Sequence, residues 1–182
     1  MDNIPPAGNR RVLVIDDNPA IHEDFKKILT KRSAPDSALE NLEAAFLADN
    51  AAVNKRAVFE MDSAFQGQEG AAKHKQAQAE GRPYALAFVD MRMPPGWDGV
   101  ETIKELWKQD ARLQVVICTA YSDHSWDEII DELGNRQNLV VLKKPFENVE
   151  VLQLAEMLSE KWSLTDKPLP EAAGLISKQS RL

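Results

Sequence analysis

The chain of 182 residues has one cysteine, no excess of positive charge and no long hydrophobic run. A single cysteine excludes an internal disulfide framework and a CxxC metal site, and it suits a reducing compartment. Lys and Arg number 22 against 29 Asp and Glu, a net charge of −7, which disfavours binding to nucleic-acid phosphates. No apolar stretch approaches the ~20 residues needed to span a bilayer. We therefore expect a soluble, cytoplasmic protein without direct nucleic-acid binding or membrane insertion.

The hydrophobic content of 43% is enough for a packed core, and the length predicts one main domain. Five short apolar runs alternate with segments of helical periodicity. The runs cover residues 11–15, 58–61, 84–89, 113–119 and 139–142. Because these runs are apolar on both faces, they predict parallel strands covered by helices on both sides. The expected fold class is α/β, with a doubly wound five-stranded parallel sheet.

Three segments lie outside this alternation. Residues 33–57 contain a capping-box pattern followed by apolar residues at helical spacing, which predicts an inserted helix between the first helix and the second strand. Residues 163–182 carry prolines without clear periodicity and are expected to form a tail or linker. With residues 1–9 as an N-terminal extension, the predicted domain covers residues 10–162.

Polar side chains follow four of the predicted strands, at the edge where open parallel sheets bind ligands. Asp16 and Asp17 follow the first strand, Asp90 the third, Thr119 the fourth and Lys144 the fifth. Each residue alone is an ordinary turn or loop residue, but together they are expected to converge on one crevice. Three carboxylates repel one another unless a cation lies among them, and a site without His or Cys ligands suits Mg²⁺ better than zinc.

Such a group of residues is suited to phosphoryl chemistry. A carboxylate can attack phosphorus and form an acyl phosphate. A lysine supplies a compact positive charge for the phosphoryl oxygens, and a threonine hydroxyl can donate a hydrogen bond to the new group. The sequence therefore points to phosphoryl transfer onto an aspartate.

The segments that carry these residues resemble the receiver (CheY-like) domain of two-component response regulators. They are residues 12–19, 87–94, 98–99, 116–120 and 142–146, in the order typical of that family. The resemblance covers about residues 10–162 and implies a flavodoxin-like sheet of strand order 2-1-3-4-5 with helices on both faces.

The resemblance also implies a role for individual residues. Asp90 would accept the phosphoryl group. Asp16 and Asp17 would hold Mg²⁺, together with the Asp90 carboxylate and the backbone carbonyl of Arg92. These assignments make Asp90 both the phosphoacceptor and a metal ligand.

Two further roles follow from the same resemblance. Thr119 would be the switch hydroxyl, and Lys144 the lysine that contacts the phosphate. Lys144 is preferred to Lys143 because the family's lysine directly precedes a proline, and strand alternation directs Lys143 to the opposite side. Val141 stands where many receivers carry an aromatic switch residue. Tyr121 is a candidate replacement, although a structural tyrosine is the simpler interpretation.

The implied function is that of a phosphoacceptor in a two-component phosphorelay, with a sensor histidine kinase or a histidine phosphotransfer protein as the donor. Phosphorylation would switch partner binding. An N-terminal receiver of a longer signalling protein is one alternative, and an interaction module that is not phosphorylated is another; a homodimer stays open. An Asp-nucleophile phosphatase of the haloacid-dehalogenase type is disfavoured, because Arg92 stands where that class needs a second acid. Beyond self-phosphorylation and slow autodephosphorylation, we expect no enzyme activity.

The remaining notable side chains have simpler structural interpretations. His22 is expected at the surface or partly buried, and His74 and His124 are expected to face solvent. Cys118 lies within an apolar run and is expected to be an inert core thiol. Trp97 lies in a loop one residue longer than the family pattern, and we expect it to pack over the site or to face a partner.

Overall fold

The computed structural model describes residues 8–30, 57–120, 126–134 and 137–165. The strands are β1 (Arg11–Ile15), β2 (Glu60–Ala64), β3 (Leu86–Asp90), β4 (Gln114–Thr119) and β5 (Leu139–Lys143). The helices are α1 (Pro19–Thr30), α2 (Gly67–Ala79), α3 (Gly99–Gln109), α4 (Trp126–Leu133) and α5 (Asn148–Thr165). All strand pairs are parallel, in the order β2-β1-β3-β4-β5. The predicted fold class and strand order are confirmed.

The sheet is buried on both faces, which explains why its strands are continuously apolar. Leu13 and Ile15 of β1 pack into one cluster with residues of α2, α3 and α4. Val12 and Val14, which alternate with them along the strand, pack into a second cluster with residues of α1 and α5. Among the described helices, none is long and apolar enough to cross a membrane.

The second strand lies further along the chain than its apolar signal predicted. The apolar run covered residues 58–61, whereas β2 spans Glu60–Ala64. As an edge strand with mostly half-buried side chains, β2 needs few hydrophobic residues. The buried Phe59 instead precedes the strand, and its N–H donates to the Leu29 carbonyl at 3.0 Å.

The C-terminal helix also continues past the boundary predicted at residue 162. It ends at Thr165, and the Asn9 N–H donates to Ser163 Oγ at 3.1 Å, so the last turn is tied to the residues that precede β1. The expected inserted helix at 33–57, apart from its last residue, lies outside the described residues. So do Tyr121, His124 and the tail from residue 166.

The expectation that His74 faces solvent is wrong, because its side chain is completely buried. Its ring stacks against Tyr84 with 6.2 Å between the ring centroids. The buried face of α2 consists of glycine, alanine and this histidine rather than of large apolar residues. The hydrophobic pattern on which sequence reasoning depends is therefore absent from α2.

The burial of His74 predicts a pH-dependent stability. Burial lowers the pKa of His74 below its ordinary 6.5, and nearby Asp110 opposes this only in part. The unfolded chain therefore binds a proton that the folded chain does not bind, so the contribution of His74 to stability is fully present above pH 6.5 and is lost as the pH falls below that value. In urea denaturation at about pH 7 and about pH 5, the decline of the unfolding free energy should be smaller for His74→Gln. Equal declines in the two proteins would contradict the prediction.

Candidate functional site

The ammonium group of Lys144 lies between two buried carboxylates at the carboxyl edge of the sheet. Its Nζ is 2.7 Å from Asp16 Oδ2 and 2.6 Å from Asp90 Oδ1. The side chains of Asp16 and Asp90 expose only 3% and 11% of their surface. Asp16 follows β1 and Asp90 ends the adjacent β3, whereas Lys144 follows β5, two strands further along the sheet. The ends of three strands therefore each supply one charged side chain to a single cluster.

Asp16 is held at each of its four polar groups. Its Oδ1 accepts the Asn18 N–H at 2.9 Å and its Oδ2 accepts Lys144. Its own N–H donates to the Ala64 carbonyl at 3.1 Å. Its carbonyl oxygen lies 2.7 Å from Nε2 of His22 on α1. The end of β1 is therefore fixed from β2, from α1 and from the loop after β5.

The second carboxylate, Asp90, is held by its own loop as well as by Lys144. Its Oδ2 accepts the backbone N–H of Arg92 at 2.9 Å. Helix α3 begins directly against this strand end, where the Gly99 N–H donates to the Met91 carbonyl at 3.1 Å. A Cβ on Gly99 would lie 2.7 Å from the Asp90 carbonyl oxygen, so this close approach requires glycine.

Burial and charge shift the pKa of both partners. Burial raises the pKa of Asp90, and the negative charge of Asp16 adds to this, although Lys144 and the Arg92 N–H act in the opposite direction. Burial acts to lower the pKa of Lys144, but its hydrogen bonds to the two carboxylates outweigh this and raise the pKa. The lysine therefore stays charged at neutral pH and serves as the counter-ion of the pair.

The other expected site residues lie at the same edge without joining the ion pair. Thr119 is buried, and its hydroxyl donates to the Ala120 carbonyl at 3.0 Å. Its own carbonyl accepts the Lys144 N–H at 2.8 Å, which ties β4 to the loop after β5. Asp17 is exposed, as is the side chain of Arg92.

Three residues near the site in the sequence differ in how far they are buried. Trp97 is half-buried, and its Cβ lies 3.1 Å from the position that a Cβ on Gly67 of α2 would take. Its loop therefore packs against the start of α2. Lys143 is exposed, and Val141 is partly buried against the core.

One residue near the site was not expected in this position. His22 is buried and lies against the Asp16 carbonyl. The spacing of His22, Phe25 and Leu29 places all three on the buried face of α1. That helical pattern was the available signal, and reading only the apolar residues missed it.

Comparisons with known proteins point to the same family as the sequence motifs do. The sequence model of the response regulator receiver domain family matches residues 43–156, more than half of the chain. The matched range begins after α1, so Asp16 and Asp17 lie outside it. No curated protein matches the chain.

Several solved structures share the fold. A CheY-like receiver domain protein from Methanospirillum hungatei JF-1 is 21% identical, with a TM-score of 0.55 over 84% of this chain and 95% of its own. A response regulator receiver protein from Sinorhizobium medicae WSM419 is 16% identical, with a TM-score of 0.54 over 84% and 95%. A protein titled adenylate cyclase from Rhodopirellula baltica is 20% identical, with a TM-score of 0.61 over 86% and 92%. At these identities the likeness establishes the fold alone.

The ion pair predicts a specific loss of stability when the lysine is removed. Lys144→Met leaves Asp16 and Asp90 buried without their counter-ion, and we expect it to lower the unfolding free energy by about 3–5 kcal/mol at neutral pH. The deficit should shrink at mildly acidic pH, because the pKa of Asp90 is already raised and protonation removes one charge. Urea denaturation at both pH values measures the effect.

The adjacent lysine provides a matched control. Lys143 is exposed, so Lys143→Met should change stability by less than about 0.5 kcal/mol. If both variants lose the same stability, the ion pair is not the cause.

Proposed function

The chain belongs to the response regulator receiver domain family, and from this premise we propose that Asp90 is the phosphoacceptor in a two-component phosphorelay. The observation that carries the proposal is the contact of the Asp90 carboxylate with Lys144, 2.6 Å from Oδ1 to Nζ, at the carboxyl edge of the parallel sheet. A buried carboxylate beside a fixed ammonium group combines a nucleophile with a positive charge for phosphoryl oxygens.

The proposed reaction transfers a phosphoryl group from a phosphohistidine to Asp90. A carboxylate oxygen of Asp90 forms the new bond to phosphorus while the bond from phosphorus to the imidazole nitrogen breaks. The bonding electron pair returns to the donor's ring. The Arg92 N–H and Lys144 orient the carboxylate, and Lys144 can follow the negative charge onto the phosphoryl oxygens.

We propose Mg²⁺ as the cofactor, held by Asp16, Asp17, the Asp90 carboxylate and the backbone carbonyl of Arg92. These donors are all oxygen atoms, which suits a hard divalent cation. Three carboxylates and one ammonium leave two negative charges, which a divalent cation would balance. Within the described residues no three His, Cys, Asp or Glu side chains lie together as a ready metal site. Binding would therefore require the exposed Asp17 carboxylate to turn toward Asp16 and Asp90, and the carbonyl and water would complete the shell. The ion would neutralise charge on the incoming phosphoryl group.

We propose that the Thr119 hydroxyl changes its hydrogen-bond partner when Asp90 is phosphorylated. Its hydroxyl now donates to the Ala120 carbonyl, and a phosphoryl oxygen on Asp90 would offer it a stronger, charged acceptor. Exchange of this hydrogen bond would release the Ala120 carbonyl and alter partner binding. The donor would be a sensor histidine kinase or a histidine phosphotransfer protein. We propose no catalysis beyond acceptance and slow loss of the phosphoryl group.

The phosphoacceptor can be tested by intact mass after incubation with acetyl phosphate. The wild-type protein should gain one phosphoryl group with Mg²⁺ and none without it, whereas Asp90→Asn should gain none. Asp98→Asn is the matched control, because Asp98 lies in the same loop but caps α3 through the Glu101 N–H, a role that asparagine also fills. An adduct on Asp90→Asn, or none on the wild type with any donor, would exclude Asp90 as the acceptor.

The metal site can be tested by the stability that Mg²⁺ adds. A ligand present at about 100 times its Kd adds about 2.7 kcal/mol to the folded state, so the wild-type Tm should rise with Mg²⁺. Asp17→Asn should lose most of this rise while keeping the metal-free Tm, because Asp17 is exposed. Asp24→Asn, an exposed acid on α1, is the control and should respond as the wild type does. Equal responses of all three proteins would place the metal elsewhere.

A further inference from the structure

His22 makes a polar contact from the buried face of α1, which otherwise packs through apolar side chains. The residue is 5% exposed, and its Nε2 lies 2.7 Å from the carbonyl oxygen of Asp16. Because a carbonyl oxygen only accepts hydrogen bonds, Nε2 must be the donor. The Phe65 ring covers the histidine, with the two centroids 4.4 Å apart and an interplanar angle of 49°. The donor is therefore held in one orientation.

The Asp16 carbonyl belongs to the peptide unit that joins Asp16 to Asp17. A peptide unit is planar, so fixing its oxygen also fixes the direction in which the chain enters Asp17. Asp16 itself has three other restraints, at its N–H and both carboxylate oxygens. Asp17 is exposed, and the contact of His22 with the preceding carbonyl restrains the backbone from which its carboxylate extends.

Helix packing alone does not account for a histidine at this position. The same face of α1 already carries the fully buried Phe25 and Leu29. Nδ1 of His22 is buried without a hydrogen-bond partner among the described residues, which costs free energy that an apolar side chain would not. The compensating contact is the hydrogen bond to Asp16.

From this geometry we infer that His22 is a positioning residue for the metal site, acting through the Asp16 carbonyl to orient the Asp17 carboxylate. The inference rests on the proposed function, because it takes Asp17 as a Mg²⁺ ligand. Residues that orient metal ligands without touching the metal commonly change its affinity by tenfold or more. The effect belongs in Mg²⁺ affinity and not in the intrinsic reactivity of Asp90.

Calorimetric titration of the full chain with Mg²⁺ tests the inference without requiring phosphorylation. His22→Leu removes the donor and should raise the Kd for Mg²⁺ by about tenfold. His22→Gln can still offer an N–H to the carbonyl and should bind Mg²⁺ close to the wild-type affinity. His22→Asn, whose shorter amide does not reach as far, should resemble His22→Leu and replaces it if the leucine variant does not fold.

A structural control separates positioning from general destabilisation. Ile28→Ala removes a partly buried side chain from the same helix and should lower the Tm while leaving the Kd for Mg²⁺ unchanged. An unchanged Kd in His22→Leu, or an equal rise in Ile28→Ala, would overturn the inference.

The titration also separates this inference from the proposed function. If the wild-type protein binds Mg²⁺ but Asp90 gains no phosphoryl group, the proposed function fails, and the variant Kd values still decide the role of His22. If the wild-type protein does not bind Mg²⁺, both the metal site and the role of His22 are contradicted.

Discussion

The contact on which the rest of the site depends is the ammonium of Lys144 between the carboxylates of Asp16 and Asp90. Two buried carboxylates side by side would repel each other without a cation between them. Lys144 follows β5, an outer strand of the sheet. It can still reach the two carboxylates, because the carboxyl ends of parallel strands all lie at the same edge. In the observed order β1 and β3 are neighbours, which puts the carboxylates of Asp16 and Asp90 side by side.

The site contains two kinds of residue. Some are restrained in the ion pair, and others lie beside the ion pair without contacting it. Asp16 and Asp90 are restrained by backbone hydrogen bonds as well as by Lys144, and Gly99 brings α3 directly against the end of β3. Asp17 is exposed, and within the part of the chain that the structure describes the Thr119 hydroxyl donates only to the neighbouring Ala120 carbonyl. This division suits the switch proposed above, in which the acceptor carboxylate would keep its geometry while a peripheral hydrogen bond exchanges.

The sequence pattern predicts correctly the elements whose buried residues are large and apolar, and it misleads where the buried or half-buried residues are small or polar. The continuously apolar β3 and β4 are buried along their whole length, and their polar ends lie at the carboxyl edge of the sheet, as predicted. The edge strand β2 was misplaced because its side chains are only half-buried. His74 was misjudged because small residues form the buried face of α2, and there helix packing follows close approach instead of side-chain hydrophobicity.

The sequence by itself determined the fold class, the strand order through its family motifs, and the set of polar residues at the strand ends. The fold class and the polar strand ends are local features, because each depends on hydrophobic runs and on the residue that ends them. Only the tertiary structure decided which of these residues touch. It paired Lys144 with Asp16 and Asp90, left Asp17 exposed, and brought His22 onto the Asp16 carbonyl. Such contacts join residues from different elements, and their distances depend on how helices and strands pack, which no local pattern encodes.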